Sequence, residues 1–256
     1  MTDGITLPPP GSTRVDALAD AKQVYDVLRN GGITIVANRV GYGIWAGSEE
    51  AADLVYRTKQ RGGHKRHALT VDEVGQREIH DLPEERQAMI ECVTQDYDLP
   101  LGIVAPYRPD NPLIQRLSPT MLKAATASGT IGMLINGGVI HTEVGRLAYQ
   151  DRFLVFGSSA NVSGTGTKFR VEDIQSELRE IADLIVDYGL RPLHYYQRSS
   201  TIIDFGKMEV IRIGSCYELI SDVLQRHFGV ELPPDPGTAA NPSGHLKEFD
   251  LPAWDQ

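Results

Sequence analysis

The sequence predicts a mixed α/β fold, in which a twisted sheet of parallel and antiparallel strands is flanked by helices. Three observations support this prediction. Helical patterns alternate with short β-branched runs up to about residue 135. Four strand-like runs later in the chain follow one another with little helix between them, which favours antiparallel pairing. The length of 256 residues and the hydrophobic content of 41% favour one large domain.

The first elements follow from periodicity and from glycine. Leu18, Val24 and Leu28 share one helical face, and a Gly-Gly pair ends that predicted helix. The β-branched run from Ile33 to Ala37 predicts a buried strand. Asn38 to Gly47 contains three glycines and is predicted as a loop at the end of that strand, where ligands often bind.

The later elements are predicted in the same way. Ser48 can cap a second helix, which delivers Lys59 and Arg61 at its C-terminal end. The other predicted helices begin at Pro83 and at Ser118-Pro119 or cover Val171 to Ile181 and Tyr217 to Phe228. The other predicted strands are Leu101 to Ala105, Thr130 to Ile135, Phe153 to Phe156, Leu184 to Val186, Thr201 to Phe205 and Glu209 to Ile213.

Composition bounds the domain organisation and the function. The last residues are rich in Pro, Gly, Ala and Asn, so we expect an N-terminal extension (1–15), one domain (16–230) and an extended tail (231–256). The net charge of −9 disfavours a general nucleic-acid binder. Cys92 and Cys216 lack the spacing of a zinc site or disulfide framework. Because no membrane-span or signal-peptide pattern occurs, we expect a cytoplasmic protein without membrane contacts.

Two polar segments are the first candidates for chemistry. The run from Lys59 to His67 gathers positive charges that can neutralise a polyphosphate, although a solvated charged loop explains it as well. Its two histidines have no third ligand nearby, so no metal site is predicted. The run from Gly157 to Gly164 follows a strand with hydroxyls, an amide and approachable backbone N–H groups that suit phosphate or ribose, although a polar turn explains it equally.

Two arginines at strand ends complete the set. Arg198 precedes Ser199-Ser200-Thr201 at the start of one predicted strand, and Arg212 closes the next strand before Gly214. Surface arginines at strand ends are common, so neither indicates a site when taken alone. The usual nucleotide motifs, the P-loop and the dinucleotide fingerprint, are absent from the sequence.

Taken together, these segments resemble the YrdC-like family, the threonylcarbamoyl-adenylate synthases that begin a tRNA adenosine modification. The order and approximate spacing agree from about Ala21 to Phe228. The matching pieces are Tyr42-Gly43, Lys59-x-Arg61, Ser159-Ala160-Asn161-x-Ser163-Gly164, Ser200-Thr201-Ile202-Ile203-Asp204 and Arg212-x-Gly214.

The resemblance implies a twisted, YrdC-like open α/β fold with a positively lined central cavity, and a nucleotidyltransferase activity. ATP, bicarbonate and an amino acid or other amine would be the substrates, Mg²⁺ would accompany the phosphates, and a downstream transferase would take the product. The implied ATP contacts are Lys59, Arg61, Ser159, Asn161, Ser163, Ser200 and Arg212. Lys59 and Arg61 would be catalytic, because cations stabilise the charge that develops on departing pyrophosphate.

The sequence departs from the family pattern where the acceptor would bind. The family's first loop usually reads P-T-D-T-x-Y-G-L, and here Asn38, Arg39 and Tyr42 stand in that loop. Arg39 reverses the charge offered to an ammonium group. Leu134 and Asn136 replace a typical arginine and proline. We therefore expect Asn38, Arg39 and Tyr42 to contact the acceptor, which need not be threonine.

Two alternatives remain at this stage. A non-catalytic nucleotide- or double-stranded RNA-binding protein of the same fold would keep the cavity, although the acidic composition makes direct RNA binding weak or absent. A carbamoyltransferase module fed by carbamoyl phosphate also occurs with this fold, in larger enzymes whose extra domains a 256-residue chain is too short to contain.

Overall fold

The computed structural model describes residues 5–8, 14–60 and 66–246. Within these residues, the strands are β1 (Ile5–Leu7), β2 (Ile33–Asn38), β3 (Gly41–Ala46), β4 (Ala68–Thr70), β5 (Leu101–Pro106), β6 (Thr126–Ala127), β7 (Thr130–Ile135), β8 (Val155–Ser159), β9 (Leu184–Val186), β10 (Ile202–Asp204) and β11 (Glu209–Arg212). The helices are α1 (Ala17–Arg29), α2 (Glu49–Thr58), α3 (Glu73–Ile79), α4 (Glu84–Glu91), α5 (Pro119–Ala125), α6 (Val139–Gln150), α7 (Ser176–Glu180) and α8 (Tyr217–Phe228).

The strands form one mixed sheet in the order β1-β9-β2-β3-β8-β4-β7-β5-β10-β11, with β6 paired to β7. The neighbours β1–β9, β9–β2, β4–β7 and β5–β10 are parallel. The remaining neighbours are antiparallel, including β10–β11 late in the chain. The predicted mixed sheet with flanking helices is confirmed.

Each face of the sheet covers its own apolar core, because side chains alternate along a strand. Along β3, Tyr42 and Ile44 face the larger core, whereas Trp45 faces the core that α1 and α6 cover. In that smaller core Trp45 packs with Val24 of α1 and Val144 of α6. The strand β3 therefore contacts both layers.

The predicted loop from Asn38 to Gly47 is wrong, because most of it is the strand β3. This strand pairs with β2 in an antiparallel hairpin that brings Asn38 opposite Gly41. Gly43 lies within this strand, where the Asn38 side chain packs so closely that a Cβ would lie 2.6 Å from Asn38 Nδ2. Gly41 is the position where the backbone needs glycine, with φ +123°.

Other boundaries also differ from the sequence prediction. The helix α6 was not predicted, because it begins after Gly138, which has φ +117° and no capping side chain. The predicted helix from Val171 to Ile181 is instead a 3₁₀ turn (Val171–Asp173) followed by the short α7. The strand predicted at Phe153 to Phe156 begins two residues later and runs into the polar segment.

Residues 231–246, the described part of the predicted tail, contain no helix or strand element but are held against the domain. The Leu246 N–H donates to Ile211 O at 3.0 Å, which extends the edge beyond β11. The buried Arg198 forms an ion pair with Asp235 at 2.8 Å and donates to Asn241 O. These contacts fix the start of the predicted tail to the strand edge that carries Arg212. Among the described residues, no helix is both long and apolar enough to span a bilayer.

Candidate functional site

Lys59 lies at the end of α2 and ties this helix to the segment after β8. Its side chain is only 2% exposed, and its ammonium donates to the backbone oxygens of Ser159 and Asn161. The Lys59 carbonyl oxygen in turn accepts from the Ser163 N–H at 2.9 Å. The structure therefore brings Lys59 together with Ser159, Asn161 and Ser163, which lie about 100 residues away in the sequence. The sequence analysis assigned these four residues to one site.

The backbone N–H groups of residues 160–163 are used within the protein, whereas the sequence analysis expected N–H groups open to a phosphate. The Ala160 N–H donates to Tyr42 O at 2.8 Å, and the Asn161 N–H to Ser159 O at 3.0 Å. The Val162 N–H donates to the Gln175 side chain at 3.3 Å. Since the Ser163 N–H is also used, the segment is not an anion-binding nest. What it offers a ligand is side-chain chemistry.

Asn161 presents a polar atom that lacks a partner among the described residues. Its side-chain amide donates to Val162 O at 2.7 Å, but Oδ1 is buried without a hydrogen bond. A buried unsatisfied acceptor costs about 1–3 kcal/mol, so such atoms are few and usually meet a ligand or an ordered water. The missing partner must be a donor. A ribose hydroxyl or an adenine amino group fits this requirement, and a fully ionised phosphate does not.

Ser200 and Arg212 form a second polar group at the start of β10 and the end of β11. The guanidinium of Arg212 donates to Ser200 O at 2.9 Å and to Ser200 Oγ at 3.0 Å. Gly214 fits against the same backbone, because a Cβ there would lie 2.3 Å from Ser199 O. The Arg-x-Gly and Ser-Thr elements are therefore one packed unit, which explains why arginine and glycine occur together at this strand end.

The turn of the β2–β3 hairpin lies at the same end of the sheet as the two groups. Along β3, Gly43 is opposite Ser159. At the turn, the Arg39 N–H donates to Gly137 O at 2.7 Å, after β7. Burial raises the pKa of the Cys216 thiol, and the Arg39 guanidinium is near enough to oppose that shift. The start of β10 and the end of β11 pair beside the start of β5, which pairs with the end of β7 just before Gly137, so the turn and both groups lie at one end of the sheet.

Tyr42 is held by the protein itself and does not face open space. Its side chain is 1% exposed, and its hydroxyl lies 3.0 Å from Asp187 Oδ1 and 2.8 Å from Gly189 O while accepting from the Tyr188 N–H. Burial and then Asp187 raise the pKa of Tyr42 well above its ordinary value. The hydroxyl is therefore a neutral, hydrogen-bonded group that positions the hairpin.

Asn38 resembles Asn161 in one respect. Asn38 is buried at the end of β2, and its Oδ1 has no hydrogen-bond partner among the described residues. Its backbone oxygen accepts from Arg191 Nε at 2.9 Å. Burial lowers the pKa of Arg191, whose guanidinium also lies over the rings of Tyr42 and Tyr188. Arg191 was not anticipated from the sequence, where it looks like an ordinary loop arginine.

Arg39, the third expected acceptor residue, binds an aspartate that the sequence analysis did not select. Its Nη1 donates to Asp98 O at 2.7 Å and to Asp98 Oδ1 at 3.0 Å. Asn136 Nδ2 donates to the same Oδ1 at 2.8 Å. Asp98 stands just before β5 with no motif around it, so only the folded chain reveals this contact.

Arg61 and His64 lie outside the described residues, so the place of Arg61 beside Lys59 stays a prediction. His67 is buried between rings, 4.8 Å from Tyr56 and 6.1 Å from Phe156 by ring centroid. Within the described ranges, no group of three His, Cys, Asp or Glu residues could hold a metal ion.

A cavity of about 500 Å³ lies between α5 and α2, the helix that ends next to Lys59. Its lining includes Glu49, Asp53 and Tyr56 of α2 together with Arg66 and Lys123. None of the expected site residues that the structure describes lines this cavity. The buried Asn161 Oδ1 and the residues around Lys59 indicate a site for a polar ligand, whereas a surface cavity lined by charges of both signs does not indicate a particular ligand.

Comparison with known proteins connects this arrangement to a family. The model of the Sua5/YciO/YrdC family, described as "Telomere recombination", matches residues 26–214. No curated protein sequence matches the chain significantly.

Three solved structures are similar in fold. A hypothetical protein from Streptococcus mutans has a TM-score of 0.72 and 18% identity, and the match covers 91% of this chain and 97% of that one. Sua5 from P. abyssi, complexed with L-threonine, has a TM-score of 0.66 and 15% identity over 91% of this chain and 62% of that one. Full-length HypF in a phosphate- and nucleotide-bound form has a TM-score of 0.57 and 18% identity over 81% of this chain and 25% of that one. The chain thus spans less than two thirds of Sua5 and of HypF.

Proposed function

The chain belongs to the Sua5/YciO/YrdC family, and from this premise we propose that it is a nucleotidyltransferase that forms a carbamoyl-adenylate from ATP, bicarbonate and an amine, with release of pyrophosphate. The acceptor amine is an amino acid that need not be threonine. Family membership supports a transferase-type enzyme and a carbamoyl-adenylate-related function, without fixing the reaction or the substrate.

The observation that carries this proposal is the buried Asn161 Oδ1, which lacks a donor at the end of β8. Asn161 is 8% exposed, so its position is fixed by packing before any ligand binds. A nucleotide offers the missing donor through its amino group or its ribose hydroxyls. The nucleotide-bound HypF and the threonine-bound Sua5, which share this fold, are consistent with a nucleotide and an amino acid as ligands.

The described residues also suggest how the phosphates are held. Since the backbone N–H groups of residues 160–163 are used within the protein, the negative charge must meet side chains. Arg212, fixed by Ser200, and Arg61 are the proposed cations, with Lys59 beneath the segment as a fixed positive charge. Mg²⁺ would add its charge to the phosphates when bound with ATP.

In the proposed reaction the amine and bicarbonate give a carbamate and water. A carbamate oxygen attacks the α-phosphorus of ATP, and the bond to pyrophosphate breaks. No protein nucleophile is required. The chain would contribute by holding the nucleotide and by stabilising the charge that develops on pyrophosphate, which is electrostatic catalysis by preorganised groups.

Nucleotide binding tests the assignment of Asn161. We expect Asn161→Ala to weaken ATP binding by roughly tenfold, since a hydrogen bond to a buried group is lost. Asn30→Ala is the matched control, because Asn30 is an exposed amide at the end of α1 that bonds only locally to Asp26 O. Calorimetric titration with ATP and Mg²⁺ measures both. Equal affinities of the two variants would contradict the proposed site.

A further inference from the structure

We infer that Asp98 binds the ammonium group of the acceptor and that Arg39 binds its carboxylate, so that the acceptor is an amino-acid zwitterion. This inference rests on the proposed function. It assigns to Asp98 the part of the acid that stands in the first loop of the family pattern, where this chain has Arg39.

The geometry around Asp98 fixes one of its oxygens and leaves the other available. Oδ1 accepts from Arg39 Nη1 at 3.0 Å and from Asn136 Nδ2 at 2.8 Å, while the Asp98 backbone oxygen accepts from Arg39 at 2.7 Å. Asn136 also donates to Thr94 O at 3.1 Å, which anchors it to the π-helical turn after α4. For Oδ2 the described residues supply no hydrogen bond, and the side chain is 76% exposed.

The backbone supports this presentation of the carboxylate. Asp98 has φ +52° and Asn136 has φ +53°, a left-handed conformation that Asp and Asn adopt more readily than most residues. Each therefore stands at a sharp bend, one before β5 and one after β7, which are neighbouring antiparallel strands. The two bends face each other at one end of the sheet, so the carboxylate is held by a preformed frame.

Arg39 keeps donor capacity after binding Asp98. Its hydrogen bonds to Asp98 use only Nη1 of a guanidinium that carries five N–H donors, and the side chain is 29% exposed. An acceptor carboxylate can bind the remaining edge of the fork. Because Arg39 and Asp98 already neutralise each other, the pair attracts neither a simple cation nor a simple anion strongly. A zwitterion, with opposite charges a few ångströms apart, satisfies both groups at once.

The position of this pair agrees with an acceptor site. Arg39, on the β2–β3 turn, lies beside the segment after β8, since the Ala160 N–H donates to Tyr42 O at 2.8 Å. Asp98 precedes β5, whose start pairs with the start of β10 beside Ser200. An amine bound at Asp98 would therefore lie next to a nucleotide held by the Lys59–Asn161 and Ser200–Arg212 groups.

Binding of amino acids tests this inference directly. The wild-type protein is first titrated with a non-hydrolysable ATP analogue and Mg²⁺, and the complex is then titrated with a panel of α-amino acids, their methyl esters and their N-acetyl derivatives. We expect at least one free amino acid to bind, its ester and N-acetyl forms to bind more weakly, and Asp98→Asn to weaken the free amino acid by about tenfold or more. Arg39→Gln should remove the preference for the free acid over the ester.

Asp110→Asn is the matched control, since Asp110 is an exposed aspartate beyond the opposite end of β5. It should bind amino acid and nucleotide like wild type, and thermal unfolding shows whether each variant is folded. A protein that binds no nucleotide overturns the proposed function. A protein that binds nucleotide but either binds no amino acid of the panel or binds it equally well as Asp98→Asn overturns the inference alone.

Discussion

Arg39 and Asn136 donate hydrogen bonds to the same atom, Asp98 Oδ1, at 3.0 and 2.8 Å. These are two of the positions where the sequence departs from the pattern of its family, and the structure shows that the two departures meet. One substitution supplies a cation and the other a side-chain amide, and both hold one aspartate. The two departures therefore converge on one aspartate, at the place where we propose that the acceptor binds.

The shared aspartate predicts that the effects of the two substitutions are coupled. Arg39→Ala and Asn136→Ala should each lower the free energy of unfolding by only about 0.2–1 kcal/mol, because the ion pair is largely solvent-exposed. The double variant should lose less than the sum of the two, since loss of either donor leaves Asp98 Oδ1 less firmly positioned for the other. Urea denaturation of the four proteins measures this, and strictly additive losses would show that the two contacts are independent.

Lys59 should be essential to the folded site and not only to catalysis. Lys59→Met removes the ammonium that donates to the backbone oxygens of Ser159 and Asn161, and of these two the Ser159 oxygen keeps the Asn161 N–H as a donor. We expect a cost of about 2–4 kcal/mol in stability. Lys22→Met is the control, because Lys22 is an exposed lysine that pairs with Asp26 one helical turn away and lies over the Tyr25 ring. Thermal unfolding and ATP titration are the measurements. Lys59→Met with wild-type stability and ATP affinity would mean that the segment after β8 is held in another way.

Tyr42 should act on stability and leave nucleotide binding unchanged. Tyr42→Phe removes the hydroxyl that bonds Asp187, Gly189 and Tyr188, so we expect a loss of about 1–3 kcal/mol in the free energy of unfolding. The raised pKa of this hydroxyl also predicts a pH effect. The unfolded tyrosine ionises near pH 10, before the folded one, so its contribution is complete below about pH 10 and is lost at higher pH. The variant should therefore lose less stability than wild type between pH 9 and 11, and an unchanged difference across that range would contradict the assignment.

The burial of His141 predicts that the stability of the protein falls at acidic pH. Its ring is fully buried beside Trp45, both ring nitrogens lack partners among the described residues, and burial lowers its pKa to about 4. Between pH 6.5 and 4 the unfolded chain binds a proton that the folded protein excludes, so stability falls as the pH falls through this window. His80, buried and with its pKa also lowered to about 4, adds a similar effect.

A substitution separates the contribution of His141 from that of His80. His141→Leu should match or exceed wild-type stability at pH 7, since an unpartnered polar ring is replaced by an apolar side chain, and should exceed it further at pH 5. His194→Gln, at an exposed position, should follow the wild-type curve. Urea denaturation of wild type and both variants at pH 7 and pH 5 measures these stabilities. A wild-type pH slope in His141→Leu would mean that His141 is protonated in the folded protein.

The sequence contained enough to predict the mixed sheet and the motifs whose residues gather around Lys59. Lys59, Ser159, Asn161 and Ser163 belong to short motifs, and the structure brings them together because α2 packs against the end of β8. The strand β3 was missed, because its glycines look like a loop until the neighbouring Asn38 side chain is seen to fill the space of a Cβ.

The contact of Arg39 with Asp98 could not be predicted, for a different reason. Asp98 lies in no motif and contacts Arg39 and Asn136 only through the folding of β2, β5 and β7 onto one another. Tyr42 was expected to contact the acceptor from its place in a motif, but its environment is set by Asp187 and Tyr188 far along the chain. Contacts between residues that are far apart in the sequence, where one partner belongs to no motif, can be identified only from the structure.

The most direct test of the proposed function is to incubate the purified protein with ATP, Mg²⁺, bicarbonate and a panel of amino acids while following pyrophosphate release and the mass of the adenylate. We expect release that requires both bicarbonate and an amino acid, together with a product whose mass is that of the carbamoyl-adenylate of that amino acid. A protein that binds ATP but releases no pyrophosphate, or releases it without bicarbonate, would contradict the account and favour a non-catalytic nucleotide-binding role or a different reaction.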